Sequence, residues 1–179
     1  TVDLANQTIN ANDSIKTSDI HGIISGSSDT TGLQLGSGKI GVTVNGAPAN
    51  NDTPVIGINL VRSASPSHTL GTESSINVSG DYHAYGVRAS DNIHVSGSNL
   101  TINTQGVNST FGIVGGTNGV LNLGADSVIN TTSSTGLATS VTVASGGSLL
   151  ADNLQVVTTG GFNNTISILT TATSAAGTT

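Results

Sequence analysis

A glycine followed by an aliphatic residue or Phe recurs along this chain. The pairs are Gly22-Ile23, Gly57-Ile58, Gly86-Val87, Gly112-Ile113, Gly136-Leu137 and Gly161-Phe162, spaced 35, 29, 26, 24 and 25 residues apart. Self-similarity at such a period marks a repeat architecture, in which a small unit buries its apolar side only by stacking on its neighbours. The last three spacings are nearly constant. The first two read as the same unit carrying extra loop residues.

Each unit also holds apolar residues in alternation. The pairs are Leu33/Leu35, Val42/Val44, Ile76/Val78, Ile93/Val95, Leu121/Leu123, Val141/Val143 and Ile166/Ile168. Alternation places one face of a strand inward. Small-residue turns follow, such as Ser96-Gly97-Ser98-Asn99 and Gly124-Ala125-Asp126-Ser127, and then a third short strand around Leu100/Ile102, Val128 or Leu154/Val156. Three short strands cannot close a core alone, but strands stacked on their equivalents in the next unit can. The expectation is an all-β parallel β-helix of roughly seven coils, with three short strands per coil. At about 4.8 Å between strands, such a rod is roughly 30–35 Å long. Inward positions form aliphatic ladders, and outward Asn, Thr and Ser form polar ladders that hydrogen-bond along the axis. Val95, Leu123 and Val143, each before a Gly/Ser turn, are expected to share one buried ladder. An antiparallel sandwich is disfavoured, because Asn45-Gly46 and Asn118-Gly119 do not sit between matched strands.

Composition narrows the function classes. Of 179 residues, 92 are Gly, Ser, Thr or Asn, and only 8% are charged. Mean hydropathy is slightly positive at +0.11 and 35% of residues are hydrophobic, which opposes disorder. Four basic against ten acidic residues, a net charge of −6, provide no basic face for nucleic acid. The lack of Cys removes a disulfide framework, a thiolate zinc site and a Cys nucleophile. No apolar run is long enough to span a membrane as a helix. Thr1–Leu4 does not begin a signal peptide. The incomplete last repeat reads as a fragment of a longer chain.

Candidate sites are sparse. Asp81, Asp91, Asp126 and Asp152 fall at turns and read as turn residues rather than paired acids. His21, His68, His83 and His94 read as isolated, although His83 and His94 lie close enough in sequence to meet across a turn. No nucleophile elbow, phosphate loop or calcium repeat is complete, so no catalytic residue, cofactor or metal is expected. The sequons at Asn6, Asn51, Asn77, Asn99, Asn108, Asn130 and Asn163 follow from composition. The chemical variety is concentrated in the N-terminal half. Residues 1–20 read as a capping coil, and residues 45–54 and 62–73 as inserted loops. Asn50, Asn51, Asp52, Arg62 and His68 in these loops, with the aromatic cluster Tyr82, His83, Tyr85 and Arg88, are the expected binding residues, because projecting loops and aromatics suit recognition.

The stretch Gly86–Gly161 resembles the passenger domains of bacterial autotransporters, the pertactin-like right-handed β-helices. Val141–Gly160 carries the resemblance, with Ser133–Leu137 and Gly124–Asn130 beside it. The resemblance implies a right-handed helix, export across the outer membrane and display at the cell surface, anchored by a C-terminal barrel not present here. It implies no enzyme but an adhesin, bound to a host surface, a matrix protein or glycan, or a second copy of itself, as in biofilm. The absence of Cys suits passage through a narrow pore. Two rivals are weaker. A β-helix polysaccharide-degrading enzyme needs clustered carboxylates and aromatic subsites. Ice binding needs Thr-x-Thr at a fixed period.

Overall fold

The computed structural model describes residues 8–16, 20–24, 40–48, 53–61, 67–161 and 165–170. Among these residues there are strands and no helix. The first coil contributes β1 (Thr8–Lys16) and β2 (Ile20–Ile24). Four coils of three strands follow: β3 (Gly41–Pro48), β4 (Pro54–Leu60) and β5 (Ser67–Thr72); β6 (Ser75–Gly80), β7 (His83–Ala89) and β8 (His94–Ser98); β9 (Thr101–Gly106), β10 (Thr110–Gly115) and β11 (Val120–Ala125); β12 (Val128–Ser133), β13 (Ala138–Val143) and β14 (Ser148–Asp152). Then β15 (Gln155–Thr159) and β16 (Thr165–Thr170) begin another.

Equivalent strands pair in parallel into three sheets. The first is β1-β3-β6-β9-β12-β15, the second β2-β4-β7-β10-β13-β16 and the third β5-β8-β11-β14. The architecture is a β-solenoid. It has four complete coils and a two-strand partial coil at each end among the described residues, fewer than the seven expected. The early coils are longer than the spacing read from the last glycine pairs: the first-sheet steps from Thr8 to Gly41 and from Gly41 to Ser75 are 33 and 34 residues, and the later ones 26 or 27. Residues 1–7, 25–39 and 171–179 lie outside the described ones.

The interior is built from ladders. On the first sheet Val42, Ile76, Ile102 and Ile129 stack in register, and all are buried. On the second, Ile58, Val87, Ile113 and Val141 do the same. Burying each such side chain stabilises by about 1.5–3 kcal/mol. The expected ladder of Val95, Leu123 and Val143 is not formed, although all three are buried. Val95 stacks on His68 below and on Leu121 above, and Val143 belongs to the second sheet beside Gly115. The third sheet breaks register between Asn122 and Ala125, so counting back from the turn selects the wrong leucine.

The glycine signal is real for four positions. A Cβ on Gly57 would stand 2.5 Å from the Gly86 carbonyl oxygen and 2.7 Å from Ile76 Cγ2. Gly22, Gly57, Gly86 and Gly112 thus stack where the second sheet presses on the first. Ser140 takes the fifth place, its carbonyl over Gly112. Gly136 and Gly161 are not members; they pack against Asn108 and Thr135 instead.

Corners need left-handed backbone. Between the third and first sheets it is supplied by Glu73, Asn99, Asp126 and Asn153, with φ of 55°, 51°, 55° and 54°. Asp126 is therefore a turn residue, as its sequence context indicates. Beside this corner Ser127 Oγ donates to Leu123 O at 2.6 Å and accepts the Leu100 N–H at 3.2 Å. Ser74 repeats the arrangement with Leu70 O and Ile40 N.

Of the expected loops, residues 45–48 are the end of β3 and residues 67–72 are β5. The second stretch is for that part a strand. Residues 49–52 and 62–66 lie outside the described residues. In the expected capping stretch, β1 is the end strand of the first sheet and pairs with β3 from Thr8↔Gly41 to Asp13↔Gly46, with a register shift before Lys16↔Pro48; residues 1–7 and 17–19 lie outside the described residues.

Candidate functional site

Over β3, β6, β9 and β12 the outer face of the first sheet is an uncharged surface. The strands β3, β6, β9 and β12 contain no Asp, Glu, Lys or Arg. Alternation fixes what they show. With Ile76, Ile102 and Ile129 inward, the next residues, Asn77, Asn103 and Asn130, must point out. Register then aligns them. Asn130 Nδ2 donates to Asn103 Oδ1 at 2.8 Å, and Asn103 Nδ2 donates to Asn77 Oδ1 at 2.8 Å. Each amide so used still has an N–H and an oxygen lone pair to offer. A second outward row runs Asn45, Ser79, Gln105 and Thr132, also in register, and all four are exposed. Between the rows lies a groove of about 340 Å³, which Asn45, Asn77, Asn103, Gln105, Asn130 and Thr132 help to line.

The interior behind this face changes character along the rod. Val44 and Val78 give way in register to Thr104, Thr131 and Thr158. Ser140 and Thr158 share a hydrogen bond of 2.6 Å there.

The members of the expected aromatic cluster have different ring partners. Tyr85 and Arg88 lie on β7, with the guanidinium carbon 5.6 Å from the ring centroid. The ring partner of Tyr85 is Phe111 of the next coil, stacked at 4.8 Å and 11°. Burial pushes the Tyr85 hydroxyl up from its ordinary 10.0, and Arg88 partly opposes this. Tyr82 instead packs edge-on against His83 at 4.4 Å. Sequence reading missed Phe111, although its spacing from Tyr85 equals that between Gly86 and Gly112. His68 is only 1% exposed and sits in the ladder below Val95, so it is a core residue and not a surface contact. Asn50, Asn51, Asp52 and Arg62 lie outside the described residues.

The remaining chemistry is scattered. Asp91 Oδ1 accepts the Thr117 N–H at 2.7 Å, and Asp126 Oδ1 accepts from Asn153 Nδ2 at 2.6 Å. Both carboxylates tie one coil to the next. Among the described residues no three His, Asp or Glu converge as metal ligands would. No described helix is long and apolar enough to cross a membrane. No protein-family model, curated protein or solved structure matches this chain.

Proposed function

We propose that this chain is a non-catalytic adhesive rod, a right-handed solenoid of the autotransporter-passenger kind that its repeat resembles, exported across the bacterial outer membrane and displayed at the cell surface. The observation that supports this is the repeated uncharged face. The same amides and hydroxyls recur on successive coils of the first sheet, held in place by Asn77, Asn103 and Asn130. A pre-ordered array loses little side-chain entropy on contact. Single neutral hydrogen bonds contribute only about 0.5–1.5 kcal/mol each, but contacts repeated on one rod add through effective concentration. The partner is a host surface, a matrix protein or glycan, or a second copy of the chain. Tyr85, Phe111 and Arg88 on the second sheet offer an additional contact.

The test is to couple the chain to beads and count their retention on epithelial cells and on matrix-coated plates, scoring bead clumping in parallel. Retention or clumping well above beads that carry an unrelated protein of similar charge supports the reading. Equal retention with no clumping overturns it.

A further inference from the structure

We infer that the groove on the first sheet is a binding site for a straight, neutral glycan chain laid along the solenoid axis, one sugar ring per coil. This rests on the adhesive reading above and names its ligand class. Three observations carry it. First, the groove is open, about 340 Å³, and crosses four coils from Asn45 to Thr132. Second, its lining has no charged side chain. An anionic chain finds no cation there, and a cationic chain finds no carboxylate. Third, the lining offers donors and acceptors together. Each amide presents both, and so does each Ser or Thr hydroxyl. That matches a sugar hydroxyl, which also donates and accepts.

Spacing selects among neutral polymers. Groups on adjacent coils repeat every 4.7–4.9 Å or so. A β-1,4-linked pyranose chain advances by nearly one such step per sugar and turns each ring over relative to the last, so every second ring presents the same edge two coils along; the lining accepts both presentations, because each amide and hydroxyl donates and accepts. An extended peptide advances by about 3.3 Å per residue; laid along this axis its residues fall out of step with the coils within two coils.

Other features of the surface fit less well. The groove on the third sheet is lined by Gly71, Gly97 and Gly124 among small residues, and offers fewer side-chain hydrogen bonds. The Tyr85 and Phe111 rings turn their faces to each other, so they provide no open platform for a sugar ring. Without such a platform the affinity per ring is low, and recognition depends on the number of coils engaged.

The experiment is an NMR titration of the intact chain with cellohexaose, with a heparin-derived hexasaccharide as the anionic comparator. The expected result is saturable movement of the Asn77, Asn103, Asn130 and Gln105 side-chain amide signals with cellohexaose only. Gln105→Ala, on the exposed row outside the Asn ladder, weakens binding roughly three- to tenfold while the Asn signals stay in place. Glu73→Ala at a corner leaves binding unchanged. The inference is overturned if the groove amides do not move, if the anionic sugar moves them more, or if Gln105→Ala binds as tightly as the parent. The bead assay separates the two failures. Beads whose retention is undiminished by Gln105→Ala and by excess free cellohexaose remove the groove and keep the adhesive role; beads never retained or clumped remove the role itself.

Discussion

Asn130 donates its side-chain N–H to Asn103 Oδ1 across 2.8 Å, between residues 27 positions apart in sequence. Asn103 passes the same bond to Asn77. Asn103 is therefore the middle of a chain, with one of its two N–H groups and one oxygen lone pair in use. Asn103→Ala leaves the Asn130 N–H and the Asn77 carbonyl without partners on a part-buried surface. The expected cost is about 1–3 kcal/mol, read as a lower urea midpoint. Thr132→Ala, exposed in the neighbouring row, changes stability by less than about 0.5 kcal/mol.

Glycine at position 57 is a packing requirement. Gly57→Ala forces a methyl against the Gly86 carbonyl and Ile76, and neither is the free end of a flexible side chain. A loss of about 1–3 kcal/mol or more is expected. Gly41→Ala is the control. There the nearest atom to an added Cβ is 3.5 Å away, and thermal denaturation of that variant should match the parent within a few degrees.

Leu123 is fully buried, whereas Leu150 is 55% exposed. Leu123→Asp places a charge among aliphatic side chains with no counter-ion, at a cost of several kcal/mol. The variant should show no cooperative unfolding transition by circular dichroism. Leu150→Asp should retain it.

Tyr85 predicts an alkaline limit. Its folded pKa lies above the ordinary 10.0 because burial disfavours the phenolate. Below pH 10 the hydroxyl is protonated in both states, and its contribution to stability is intact. As the pH rises through 10.0 toward the higher folded value, the unfolded chain ionises first, so stability falls. Tyr85→Phe should flatten this loss in denaturation midpoints measured above pH 10. An unchanged slope would exclude Tyr85 as its source.

Much of this fold is legible in the alternation of small and aliphatic residues. Val42/Val44, Ile76/Val78 and Leu100/Ile102 mark strands, and Gly57 and Gly86 mark where sheets meet. The phase is harder to read. Ser140 is small enough to replace glycine in its ladder, while Gly136-Leu137 imitates the motif from a loop. That imitation shortens the apparent period, while the count of coils is thrown off mainly by the long early steps, Thr8 to Gly41 and Gly41 to Ser75. Register breaks on the third sheet hide the pairing of Val95 with Leu121. The polar ladder is legible in kind, since outward Asn residues on stacked strands must meet. Asn77, Asn103 and Asn130 as its members are not, because sequon composition masks them among many Asn. His68 reads as a loop residue in the sequence because its single alternating neighbour, Leu70, gives too short a strand signal.

The Asn ladder and the part of the groove on β6, β9 and β12 depend on one relationship: positions 26 or 27 residues apart lie side by side. The chain has no Cys, so paired spin labels can be placed on a clean background. Gln105 is in register with Ser79 on one side and Thr132 on the other. The measurement is electron paramagnetic resonance of Ser79→Cys/Gln105→Cys and Gln105→Cys/Thr132→Cys, each doubly labelled. Neighbours on adjacent parallel strands, about 4.8 Å apart, should show strong spin–spin exchange in both pairs. Spectra of two isolated labels in either pair would contradict the register, and the stacked face with it.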